Sequence, residues 1–211
     1  ISLGMQDKIN HVLGDVRDAA NLNTAMQSFQ PEIVFHMAAQ ALVKKSYADP
    51  AYTIETNVMG SVNLLDAVRQ CSTVRSLVYI TSDKCYENLE WAWGYRENDQ
   101  LGGHDPYSAS KAAAEIVFSA YARSFLVDRP MLGAATARAG NVIGGGDWAE
   151  NRIVPDCIRA IENKLPIKLR NPNATRPWQH VLEPLSGYIM LAAKLYEQPE
   201  RYVGSWNFGP Y

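Results

Sequence analysis

Tyr107 and Lys111 stand four residues apart in Asp105-Pro106-Tyr107-Ser108-Ala109-Ser110-Lys111, ahead of an apolar, alanine-rich run that reaches Phe125. Pro106 suits a first helical turn, where its missing N–H is not needed, so the phenol and the ammonium fall on one helix face. A neighbouring ammonium favours the phenolate and lowers a tyrosine from its ordinary value of about 10 towards neutrality, which suits a general base acting on an alcohol. An exposed helix with a Tyr/Lys surface pair has the same spacing. The pair therefore needs partners, and Thr81-Ser82-Asp83-Lys84, just after the apolar stretch Ser76 to Ile80, supplies a hydroxyl, a carboxylate and a second ammonium. If the two stretches pack side by side, these residues meet in one crevice. Ser82 and Tyr107 then grip one substrate alcohol, and Asp83 protonates a leaving hydroxyl, so that elimination becomes possible beside oxidation.

The elements that must bring them together alternate. A strand end at Val12-Leu13 enters the loop Gly14-Asp15-Val16-Arg17-Asp18, and a helix follows with Leu22, Ala25, Met26 and Phe29 at helical spacing until Pro31 stops it. Glu32 to Met37 is an apolar strand that runs into Ala38-Ala39-Gln40, small residues suited either to a flat ligand or to tight packing. Pro50 opens a long amphipathic helix to about Gln70, and Ser76 to Ile80 is the next strand. Glu87 to His104 has no clear period and reads as a functional loop. After the Tyr107 helix come a strand from Met131 to Arg138, a glycine-rich loop from Ala139 to Trp148 that reads as a simple turn rather than a phosphate cradle, a helix from Ile153 to Asn163, a short strand at Ile167 to Leu169 and a helix from Pro184 to Tyr196. Alternation of this kind predicts an α/β fold, a doubly wound and mostly parallel sheet whose ligands bind at the carboxyl ends of the strands.

Composition narrows the class. In 211 residues, 47% are hydrophobic and 20% charged, and the net charge is −2, so nothing in the balance calls for nucleic acid or an anionic membrane. No apolar run approaches the ~18 residues of a spanning helix, and a cytoplasmic protein is the default expectation. Cys71, Cys85 and Cys157 are scattered without a metal-ligand spacing, which argues against a disulfide framework and a zinc site.

These motifs resemble the extended short-chain dehydrogenase/reductase family. The resemblance is carried by Tyr107-x-x-x-Lys111, Asp15-Val16-Arg17-Asp18, His36-x-Ala38-Ala39-Gln40 and Thr56-Asn57. Thr81-Ser82-Asp83-Lys84-Cys85-Tyr86, Gly140-Asn141-Val142-Ile143-Gly144-Gly145-Gly146-Asp147-Trp148 and Thr175-Arg176-Pro177-Trp178-Gln179-His180-Val181-Leu182-Glu183-Pro184 narrow it to the nucleotide-sugar 4,6-dehydratases, and among them to the CDP-glucose 4,6-dehydratases. The resemblance spans essentially the whole chain.

It implies a Rossmann-type sheet, a truncated NAD-binding domain over residues 1–140 and a partial substrate-binding region over 141–211, interleaved with the last Rossmann elements. It implies NAD as cofactor and CDP-glucose as substrate, converted to the 4-keto-6-deoxy sugar nucleotide that deoxysugar biosynthesis, including that of lipopolysaccharide O-antigens, consumes. Tyr107 would remove the C4 hydroxyl proton, Lys111 would lower its pKa and hold NAD, Ser82 would bond the same hydroxyl, and Asp83 would protonate the departing C6 hydroxyl. Lys84 stands where the thymidine-diphosphate branch has a glutamate. It is either the C5 base or a structural partner of Asp83 or a phosphate. Asp15 and Val16 would face the adenine, Ala38, Ala39, Gln40 and Thr56 would line the NAD site, and Asn141 and Arg176 would bind the sugar nucleotide.

The alternatives are a related epimerase or dehydratase and a non-catalytic dinucleotide sensor. A homodimer through helices 49–70 and 105–125 is expected. The family's glycine-rich first turn is absent from these residues and Ser205 to Gly209 reads as a strand just before the end, so the expectation is a fragment lacking both termini that by itself binds NAD poorly and is inactive.

Overall fold

The computed structural model describes residue 4 and residues 8–210. Helix α1 (Ala19–Phe29) starts at Asp18, whose side chain accepts the Asn21 N–H, and ends at Gln30, in the left-handed region with φ 51° ahead of Pro31. Strand β1 (Ile33–His36) follows, then a short helix α2 (Val43–Ala48) that the polar sequence does not announce. The expected long helix exists but is not uniform: α3 (Pro50–Ile54) and α4 (Gly60–Gln70) are joined by a π-helical turn, Glu55–Met59, which turns Thr56 and Asn57 into the interior.

Strand β2 (Ser76–Ile80) runs into a 3₁₀ turn, Asp83–Cys85. The loop beyond it is closed at its base by an antiparallel bridge between Tyr86 and Leu101. Helix α5 (Pro106–Tyr121) begins as the sequence implies, with Pro106 in the first turn and Asp105 accepting the Ser108 N–H, and passes into a π turn, Ala122–Leu126. Then come β3 (Gly133–Ala139), β4 (Val142–Ile143), α6 (Ile153–Glu162), β5 (Gln179–His180), α7 (Leu182–Glu197), α8 (Pro199–Tyr202) and β6 (Gly204–Phe208).

The main sheet is parallel throughout, in the order β1-β2-β3-β6. β2 is sealed on both faces, as its unbroken run Ser-Leu-Val-Tyr-Ile requires. On one side Leu77 and Tyr79 join Met26, Leu65, Val68 and Phe118 from α1, α4 and α5, and on the other Val78, Ala135 and Ala137 meet Leu191 and Leu195 from α7. Helices on both faces of a parallel sheet make the doubly wound arrangement. Its consequence is that the strand ends His36, Ile80, Ala139 and Phe208 open onto one edge.

Three expectations are corrected. Residues 10–15 are irregular rather than the end of a strand, since β1 has no neighbour on that side among the described residues. Residues 167–169 are exposed and irregular and pair with no strand among the described residues. The glycine-rich segment is not a simple turn: Val142 and Ile143 pair in parallel with Gln179 and His180. Gly140 permits that pairing, because a Cβ there would lie 2.4 Å from Pro177 Cγ.

Candidate active site

α5 packs against the turn after β2, which sets the Tyr107 phenol beside Ser82. Ser82 Oγ donates to Asp83 Oδ1 at 2.9 Å and accepts the Lys84 N–H at 3.2 Å, so the hydroxyl beside the phenol is bonded to the carboxylate. The Tyr107 backbone N–H is held by Ser46 Oγ at 3.2 Å, which anchors the start of α5 on α2.

The electrostatics differ from the sequence expectation. Burial pushes the Tyr107 phenol above its ordinary value, as does the nearby Asp83 charge, while the Ser82 hydrogen bond and the Arg152 charge pull it down. Lys111 is itself buried, and loss of hydration drops its ammonium to about 8 against an upward pull from Glu115. In this state the phenol is protonated at neutral pH. Arg152, on the segment leading into α6, escaped the sequence reading because nothing in its spacing ties it to Tyr107; only folding brings its charge there.

Thr81 is not part of the crevice. It turns inward to donate to Glu115 instead. Lys84 is partly buried, and no ion pair joins it to Asp83 among the described residues. Its backbone is fixed by Ser82, and its ammonium is left for a ligand or for solvent.

At the end of β1, Asn57 works as a clamp. Its Oδ1 accepts the Gln40 N–H at 2.7 Å, and its Nδ2 donates to Gln40 O at 3.0 Å and to Ser110 Oγ at 2.8 Å. The Gln40 side chain bonds Leu42 and Thr53, so it fixes the loop while Ala38 and Ala39 remain at the surface. Beside Asn57, the Thr56 hydroxyl is buried with no hydrogen-bond partner among the described residues. The loop at Asp15 and Val16 is tied to α4 by Asn63, which donates to Val16 O at 2.9 Å, and Gly60 leaves room for Val16. Asp15 is held by Arg17 at 2.8 Å, and this guanidinium lowers its carboxyl to about 2.

These features suit a dinucleotide. Thr56 offers an orphaned hydroxyl, Asp15 a fixed carboxylate, Ala38 and Ala39 a flat approach to the backbone, and Lys111 a cation. Asn141 and Arg176 lie at the adjoining β4/β5 pair: Asn141 O accepts the Gln179 N–H at 3.1 Å, and the Arg176 side chain is exposed. Among the described residues no cluster of His, Cys, Asp and Glu could hold a metal, and no helix is long and apolar enough to cross a membrane.

A family model described as GDP-mannose 4,6 dehydratase matches residues 2–207. CDP-glucose 4,6-dehydratase of Salmonella typhimurium is 52% identical over 210 residues, which cover 98% of this chain and 58% of that enzyme. The chain thus spans little more than half the length of this relative. Among solved structures, UDP-glucose 4-epimerase of Thermus thermophilus in complex with NAD superposes with a TM-score of 0.76 at 28% identity, over 99% of this chain and 67% of that one. A dTDP-glucose 4,6-dehydratase double mutant from Streptomyces venezuelae, with NAD bound, gives 0.81 at 24% identity over 99% and 61%. The sheet is of the Rossmann type that these structures share.

Proposed function

The chain belongs to the GDP-mannose 4,6 dehydratase family, and from that premise we propose that the protein is a lyase that converts CDP-glucose to CDP-4-keto-6-deoxyglucose with NAD. The observation that carries this reading is the gathering of Tyr107, Ser82 and Asp83 at the carboxyl end of β2, with Ser82 bonded to Asp83, which brings a base for oxidation beside an acid for elimination. Tyr107 takes the proton of the C4 hydroxyl while Ser82 bonds the same oxygen. The resting phenol is protonated, so the tyrosine becomes a base only once it loses that proton in the substrate-filled site, where Ser82 and Arg152 favour the phenolate. When bound, NAD supplies the hydride acceptor at C4 and the donor at C6.

Oxidation at C4 makes the C5 proton acidic, and we assign its removal to Lys84 acting as the neutral amine. As the Tyr107 phenolate forms, its proton passes by way of Ser82 to Asp83, which then gives it to the departing C6 hydroxyl. Lys111 and Thr56 hold the cofactor at α5 and the π turn, Asp15 and Val16 its adenine end, and Ala38, Ala39 and Gln40 its central part. Asn141 and Arg176 hold the sugar nucleotide, the Arg176 fork matching a diphosphate. Residues 1–140 then form the cofactor unit, and 141–211 the substrate unit that returns β6 to the main sheet.

We assign the protein to the cytoplasm, which its three free thiols favour. A homodimer through the helices at 49–70 and 105–125 is supported by Ile54, Met59, Ile116 and Phe125, all exposed on them.

The deciding experiment offers the full-length protein CDP-, UDP- and dTDP-glucose and follows loss of one water by mass spectrometry. Preferential dehydration of CDP-glucose is expected. No water loss from it, or a preference for another nucleotide, would overturn the assignment.

A further inference from the structure

One turn beyond Lys111 on α5 sits a second buried ionisable residue that the proposed chemistry leaves unused. Glu115, with a side chain 2% exposed, pairs with Arg138 of β3, 4% exposed, at 2.8 Å. Its oxygens also accept from Thr81 Oγ1, from Thr136 Oγ1 at 2.9 Å and from Arg138 Nε at 2.9 Å. Arg138 extends the network: Nη1 donates to the Tyr86 hydroxyl at 2.7 Å and to Glu97 O at 2.8 Å, and Nη2 donates to Ser205 Oγ at 3.0 Å. One carboxylate thus joins the helix of Tyr107 and Lys111 to the residue immediately before Ser82, and through Arg138 to the loop that follows the turn. A buried ion pair is a poor source of net stability, since the desolvation of both charges offsets most of their attraction. An apolar pair of similar volume would fill this space at less cost.

We propose that Glu115 is a positioning residue for the Tyr107/Lys111 chemistry, locking the Thr81–Asp83 strand end against α5 and keeping the Lys111 ammonium charged from one turn away. The inference rests on the roles proposed for Tyr107 and Lys111. Lys111 faces His36 from β1 and Cys85 from the 3₁₀ turn, and Glu115 is the anion on its own helix. Glu115 in turn faces Arg138 from β3, Tyr79 from β2 and Cys85. Burial has already brought Lys111 down to about 8, so loss of the Glu115 charge moves its titration into the working pH range.

The test compares full-length wild type with Glu115→Gln and with the charge-neutral double variant Glu115→Gln/Arg138→Gln, which avoids stranding the guanidinium. Lys111 is titrated in the cofactor-free protein by NMR of labelled lysine side chains, its signal assigned by its absence in Lys111→Met. Dehydration of CDP-glucose is measured against pH in parallel. We expect the Lys111 titration to move down by about half a pH unit or more in Glu115→Gln and by less in the double variant, and kcat to fall about tenfold or more in both with KM within about threefold and the alkaline limb displaced with the Lys111 titration. An unmoved Lys111 titration and an unmoved limb in folded Glu115→Gln, with kcat near wild type in the folded double variant, would reduce Glu115 to a structural role and overturn the inference. A wild-type protein inactive on CDP-glucose whose Lys111 titration still responds to Glu115 would reject the substrate assignment and leave this coupling standing.

Discussion

Asn57 Nδ2 lies 2.8 Å from Ser110 Oγ, and Ser110 Oγ in turn donates to Tyr107 O at 2.6 Å, so the π turn before α4 is joined to the first turn of α5 beside the phenol. The same carboxamide holds both backbone groups of Gln40. End of β1 and catalytic helix are therefore set relative to each other by one buried side chain, 3% exposed.

Asn57→Ala removes three hydrogen bonds and leaves the Gln40 N–H and C=O buried without partners. Urea denaturation is expected to show a loss of about 2–4 kcal/mol. A loss under about 0.5 kcal/mol would mean that the clamp does not support the fold.

Tyr107→Phe is expected to lower kcat about 10³-fold with little change in KM, since the phenol acts as a base rather than as a binding group. Asp83→Asn should behave differently. If the carboxyl serves elimination, oxidation at C4 outruns water loss, and a 4-keto glucose nucleotide that still carries its C6 hydroxyl accumulates and is visible by mass. Equal loss of both steps in Asp83→Asn would place the acid elsewhere.

His36 gives the fold an acid limit. It is buried against Tyr79, with ring centroids 4.9 Å apart, and burial, helped by the Lys111 charge, holds its pKa near 4. Between about 6.5 and 4 the unfolded chain therefore binds a proton that the folded chain refuses. Stability is full above the unfolded value and falls as pH drops through that window, by about 3 kcal/mol from this residue. His36→Phe should flatten the slope of unfolding free energy against pH between 6.5 and 4, and an unchanged slope would assign the acid sensitivity to other groups.

Gly60→Val probes the adenine-side loop. A Cβ at Gly60 would lie 2.6 Å from Val16 Cγ2, so a branched side chain must push Val16 and Asp15 off α4. Overpacking of this kind costs about 1–3 kcal/mol, and the loop is the part that gives. Calorimetric titration of the full-length variant should show NAD bound about tenfold more weakly, and wild-type affinity would remove Asp15 and Val16 from the cofactor site.

Part of this was legible along the chain. The apolar runs of β1, β2 and β3 and the helical spacing of α1, α5 and α7 depend on which residues must leave water, a local property that periodicity records. Pro106 and Asp105 mark the start of α5 because a missing N–H and a capping carboxylate act within one turn. Short elements were not legible: α2 holds few apolar residues, and β4 and β5, two residues each, exist only because distant segments meet across Gly140 and Pro177. The π turn inside the long helix left no mark in the spacing either.

By itself the sequence determined the residue types of the site and their order, Thr81-Ser82-Asp83-Lys84 followed by Tyr107 and Lys111, because reactive groups and helical offsets are written in the chain. The tertiary structure alone decided how those groups are charged and which of them meet. Burial raised the Tyr107 phenol where spacing to Lys111 predicts the reverse, turned Thr81 away from the crevice towards Glu115, and brought Arg152 and Arg138 from far along the chain. The physical reason is that desolvation and Coulomb fields depend on distances through space, which the sequence sets only by folding.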